Sequence, residues 1–217
     1  MRLPTMARSR FNRITIVTVG ALLLGACSSD VTTPSASGSQ EATSPFVPTP
    51  ASRALVGVVD GTYSVTFDPT QNQSFSLGPN RLDMPAHSIC NLLTSGYGTA
   101  YWNKSCTPQT LPVTLTVTIK NASSAHPSVQ FFPAMRFNPT TTVQLYMYAP
   151  HVSIKDAKNW LMFYCNDAKQ CVDESLTDSA LKTYVDYTNS VVFRRVKHFS
   201  GYVVAERAGD IPSDGGQ

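Results

Sequence analysis

The sequence predicts an all-β protein: an antiparallel β-sandwich with disulfide-bridged loops, preceded by a signal peptide and a disordered tether. Three observations carry this. Apolar and polar residues alternate with period two in two runs, and further short runs are rich in β-forming residues. Clusters of Pro, Asn, Gly and Ser separate those runs. Four cysteines remain once the one nearest the N-terminus is set aside. Leu111–Ile119 is the clearest run, with Val113, Leu115, Val117 and Ile119 on one face and Thr114, Thr116 and Thr118 on the other. Such alternation marks a half-buried strand of an antiparallel sheet.

The N-terminus carries Arg2, Arg8, Arg10 and Arg13 with no acidic residue, and then the apolar run Ile14–Leu24. That run is too short to span a bilayer, which takes roughly 20 residues, and suits a signal-peptide core. Leu24-Gly25-Ala26-Cys27 follows directly and resembles a lipobox. The resemblance implies cleavage before Cys27, lipid on its sulfur, and a signal peptide over 1–26. Ser28 stands where an aspartate would retain a lipoprotein in the inner membrane. The expected location is therefore the cell envelope, at the outer membrane if the host has one. Removing the four arginines leaves 13 Lys+Arg against 14 Asp+Glu, a net charge of −1. The basic excess belongs to the leader, and a nucleic-acid partner loses its main support.

Residues 27–52 hold the lipidated cysteine and a Ser/Thr/Pro-rich stretch with almost nothing to bury. Such composition cannot offset the entropy of folding. It reads as a linker reaching at most about 80–90 Å when fully extended. Residues 208–217 read as a loose tail. The segment between, 53–207, is long enough for one domain with a core of its own.

Inside it, Thr62–Phe67, Val143–Tyr148, Trp160–Tyr164, Val191–Val196 and Gly201–Ala205 read as further strands. Asp68-Pro69, Gly78-Pro79-Asn80, Asn121–Ser124 and Asn138-Pro139 supply the turns. Short strands joined by turn chemistry indicate a sandwich. Asp173–Leu181 is the one helical candidate, capped by Asp173 or Ser175 and two turns long at most.

Cys90, Cys106, Cys165 and Cys171 allow three disulfide connectivities. Each neighbouring pair encloses a polar, turn-rich loop, which favours Cys90–Cys106 with Cys165–Cys171 in an exported protein. A metal site would need other spacings and a nearby histidine pair, so no metal and no cofactor is expected. No nucleophile elbow, phosphate loop or zinc-protease motif is present. His87, His126, His151 and His198 are scattered singly, and Asp173-Glu174 reads as solvated or as a helix start. Tyr97, Tyr101 and Trp102 lie among glycines in the Cys90–Cys106 loop. They form a candidate platform for a sugar, or else pack over their own loop. Arg194-Arg195-Val196-Lys197 places Arg195 and Lys197 on one strand face. That face reads as solvated, or as an edge guarded by charge; contact with lipid phosphates or an acidic partner is the competing reading.

Four stretches in order resemble the ZU-type β-sandwich of tight-junction scaffolds, netrin receptors and ankyrins. They are Leu82-Asp-Met-Pro-Ala-His87, Pro112–Val117, Val129–Pro139 with Val143-Gln-Leu145, and His198-Phe-Ser-Gly-Tyr202, covering about 81–205. The 90–106 insert and the Cys165–Cys171 loop depart from the pattern of the eukaryotic members. The resemblance implies a sandwich serving as a protein-interaction module. It also implies a site, because some members cut themselves between the Phe and Ser of His-Phe-Ser. Here Ser200 would attack the Phe199 carbonyl with His198 as base. The alternative has Phe199 filling the core while His198 and Ser200 face outward. The expected function is thus a non-enzymatic interaction or structural domain held at a membrane through Cys27, its partner a protein or a glycan. An adhesive, glycan-binding module and a self-cleaving domain are the alternatives.

Overall fold

The computed structural model describes residues 59–152, 160–206 and 208–211. The signal peptide, Cys27 and the linker lie outside these residues, as does most of the tail. The strands are β1 (Gly61–Phe67), β2 (Gln73–Leu77), β3 (Asn80–Met84), β4 (Val113–Lys120), β5 (Ser128–Arg136), β6 (Val143–Tyr148), β7 (Leu161–Cys165), β8 (Cys171–Val172), β9 (Tyr184–Asp186), β10 (Val191–Val196) and β11 (His198–Ala205). They form two antiparallel sheets, ordered β1-β4-β5-β11-β7-β8 and β2-β3-β6-β10-β9. The chain is an all-β sandwich.

Period two decides which side chains meet between the sheets. Val113, Leu115, Val117 and Ile119 of β4 are at most 4% exposed, and their threonine neighbours point away. Leu82, Leu145, Val192 and Val196 enter the same core from the other sheet. β1 pairs with β4 from Gly61↔Ile119 to Phe67↔Val113, so the polar faces of the two strands align. Gly78 supports the β2–β3 hairpin with φ of 58°, a conformation glycine adopts without steric cost. A Cβ there would lie 2.6 Å from the Tyr63 hydroxyl.

β5 is the irregular strand. Its pairing with β11 runs His198↔Arg136 and Phe199↔Met135, then resumes at Gly201↔Gln130. Pro133, preceded by a cis peptide bond, sits in the skipped stretch. Proline cannot donate to a ladder, and a bulge is where a sheet interior accommodates it. The segment expected to be helical forms two separate 3-10 turns, Glu174–Leu176 and Ser179–Leu181. Asp173 and Asp178 cap them by accepting from the Ser175 and Ala180 amides.

Two disulfides are formed, Cys90–Cys106 and Cys165–Cys171. The second joins β7 to β8 across the pair Cys165↔Cys171.

Candidate functional site

β10 places Val192, Arg194 and Val196 on its inner face, so an arginine enters an apolar layer. Arg194 is 0% exposed. It crosses from one sheet to the other, donating from Nη1 to the Met162 carbonyl of β7 at 2.7 Å. Its Nε donates to the Arg195 carbonyl, and its Nη2 pairs with Glu174. Glu174 is buried at the start of the first 3-10 turn, and its Oε1 lies 2.9 Å from His198 Nε2. One carboxylate thus serves a guanidinium and an imidazole. Burial alone would raise the Glu174 carboxyl, but the hydrogen bond from His198 and the charges beside it prevail, and it lies below its ordinary value.

Aromatic rings enclose this cluster. Trp102 stacks on His198 at 3.9 Å between centroids, and Tyr164 meets the same ring edge-on at 4.5 Å. The Tyr202 hydroxyl donates to the His198 carbonyl at 2.7 Å, and the Tyr97 hydroxyl to the Phe199 carbonyl at 2.8 Å. Burial raises the phenols of Tyr97, Tyr164 and Tyr202, which keeps them protonated and able to donate. His198 Nδ1 and Trp102 Nε1 are buried without a hydrogen-bond partner.

The Cys90–Cys106 loop is the lid over the cluster, anchored at several points besides its disulfide. Arg136 Nη1 donates to the carbonyls of Tyr101 and Lys104 at 3.1 and 2.6 Å. Lys197 binds Asn103 on the loop and Asp178 on the second 3-10 turn. The Lys197 hydrogen bond depresses the Asp178 carboxyl. Replacing Cys90 and Cys106 with alanine is expected to cost about 3 kcal/mol on the loop-entropy account. Chemical denaturation of the variant measures that loss, and a red shift of Trp102 fluorescence reports loosening of the lid.

Several expectations change here. His198 and Ser200 do not face outward; they are 0% and 5% exposed. Phe199 does fill the core, against Phe131 at 4.4 Å and Phe137 at 4.7 Å. The Ser200 hydroxyl donates to the Cys165 carbonyl at 3.4 Å. Arg195 and Lys197 are not a solvated or edge-guarding face. β10 lies between β6 and β9, Arg195 donates to the carbonyls of Pro139 and Thr141, and Lys197 is buried under the lid. Trp102 turns inward, whereas Tyr97 and Tyr101 each keep 40% of their surface exposed. The Asp173-Glu174 pair is not solvated as a unit, because Glu174 is the anion of the buried cluster.

Sequence reasoning missed Glu174 and Arg194. A signal for Arg194 existed: at i±2 from two valines it occupies the apolar face of its strand, which demands a buried anion. Nothing local marked Glu174 as that anion. Among the described residues, no group of three or more His, Cys, Asp or Glu is placed to hold a metal. No protein-family model matches the chain, and comparison with curated proteins and with solved structures found no match for it.

Proposed function

We propose that this chain is a cell-envelope lipoprotein, anchored through Cys27, that presents a ZU-type-like β-sandwich as a non-enzymatic interaction or structural module. The observation that carries the reading is the sealed state of the polar cluster. Glu174 is paired with both Arg194 and His198 Nε2 between the sheets, and Trp102 and Tyr97 close over them. Groups spent in this way specify the packing of a core. The two disulfides fit an exported chain, and the lipobox-like Leu24–Cys27 supplies the anchor. The stretches resembling the ZU-type domain fall on β3, β4, β5, β6 and β11 in order. The test is incorporation of labelled palmitate into the full precursor in a bacterial host. Label that disappears in Cys27→Ala supports the reading, and absence of label from the parent chain overturns the anchor.

Two observations favour a second reading, self-processing at Phe199-Ser200. The Tyr97 hydroxyl already donates to the Phe199 carbonyl, where charge would develop, and the β11 register breaks at that point. The Ser200 Oγ would bond to the Phe199 carbonyl carbon and displace the Ser200 nitrogen as a free amine. Water would then hydrolyse the ester to a Phe199 carboxylate. The Ser200 hydroxyl, however, donates to a backbone carbonyl, which is no base. The expected intact mass of the denatured chain is therefore one uncut species, four hydrogens lighter than its reduced form. Two fragments meeting at Phe199-Ser200, absent from Ser200→Ala and reduced in Tyr97→Phe, would establish self-processing instead.

A further inference from the structure

The outer face of the six-stranded sheet carries hydroxyls in register. Thr62 meets Thr118 at 3.3 Å, Ser64 meets Thr116 at 3.5 Å, and Thr66 meets Thr114 at 2.8 Å. The alignment follows from the β1–β4 pairing, which puts each hydroxyl directly opposite its partner. This row of six ends at Thr118, which is also in the wall of a cleft of about 400 Å³ on the same sheet. Ser128 and Gln130 of β5 and Asn166 of the β7–β8 turn also line it.

The floor of the cleft is Gly201. A Cβ there would meet the Gln130 Oε1 at 2.6 Å and the Cys165 carbonyl at 3.0 Å, so the missing side chain is what lets the Gln130 amide lie over the backbone of β11. Val203 and Ile211, from a small apolar cluster on this face, give the cleft one greasy wall. Its charges are of both signs, Lys120 and Lys169 against Asp167.

We infer that this cleft binds one residue of a neutral glycan, with the hydroxyl row of β1 and β4 as the track along which the rest of the polymer lies. A sugar ring has an apolar C–H face and a rim of hydroxyls that both donate and accept. The Val203–Ile211 wall suits the first. Serine and threonine hydroxyls and the Gln130 amide, which likewise donate and accept, suit the second. The volume falls in the range of small-ligand sites. Carrying both signs, the lining is not matched to a ligand of a single charge. This site is separate from the Tyr97–Trp102 loop. It rests on the reading of the domain as an interaction module and names the partner.

Amide NMR of the exported chain carrying Cys27→Ser, with both disulfides intact, tests it. The probes are soluble oligosaccharides of cellulose, chitin and starch, each titrated into the millimolar range. At least one is expected to shift the amides of Gly201, Gln130 and Asn166 together. Gln130→Ala and Thr118→Val, neither in the core, are each expected to weaken that binding about tenfold, while Leu93→Ser leaves it unchanged. Three outcomes overturn the inference: no response in the cleft to any of the three, a response centred on Tyr97 and Tyr101, or an equal response to sulfate, which would make the cleft an anion site. Palmitate incorporation is read independently. A labelled chain with a silent cleft sinks this inference alone, and an unlabelled chain that binds in the cleft sinks the anchor alone.

Discussion

Glu174→Ala is expected to destabilise the domain by about 3–5 kcal/mol, the cost of leaving a buried charge without its partner. Arg194 would keep its bonds to the Met162 and Arg195 carbonyls but lose the carboxylate that pairs with it among the described residues. His198 would lose the partner of its Nε2 at the same time. Chemical denaturation measures the loss. The pair Glu174→Leu with Arg194→Met is expected to recover much of it, because an apolar replacement removes the desolvation cost along with the attraction. A Glu174→Ala chain as stable as the parent would mean that the cluster contributes nothing to folding. It would then be open to a chemical role.

The same carboxylate makes stability pH-dependent. Its folded-state pKa lies below its ordinary value of 4.5, so the unfolded chain binds the proton more readily. Stability from Glu174 is therefore fully present above the unfolded value and is lost as pH falls below it through the folded one. Denaturation midpoints across the acid range should show that decline, and Glu174→Gln should flatten it.

β1 and β4 were legible because period two gives each one face to the core, and β4 buries the four residues expected of it. β6 and β10 lie where runs rich in β-forming residues placed them. β5 was not legible as a strand: Phe131-Phe132-Pro133 has no alternation, and proline argues against a central strand. Its bulge resolves the conflict by letting the β11 ladder skip that stretch. The candidate site was half legible. His198-Phe-Ser200 and the aromatics of the Cys90–Cys106 loop were each singled out, but as separate features. Their meeting depends on a loop folding back about a hundred residues along the chain, as in the Tyr97 bond to the Phe199 carbonyl. No local pattern encodes a contact of that range. The acidic, turn-like setting of Glu174 in fact points the other way, toward solvent.

Phe199→Ala is expected to cost about 3–5 kcal/mol, lowering the melting temperature by roughly 6–20 °C for a domain of this size. Phe199 is fully buried, stacked parallel on Phe131 and edge-on to Phe137, and β11 makes its last regular pair with β5 there before the bulge. Removing the ring leaves a cavity that the bulged stretch, lacking ladder bonds to β11, cannot easily close. Tyr97→Phe probes the same residue through its backbone: the Phe199 carbonyl loses one hydrogen bond, at an expected cost of about 1 kcal/mol. The two variants separate two accounts of the His-Phe-Ser strand. If Phe199 is there to fill the core, the ring substitution dominates and neither variant changes the intact mass. If the strand is there to be cut, Tyr97→Phe lowers the yield of fragments in addition to its small cost in stability, because the hydroxyl then also acts on the reaction.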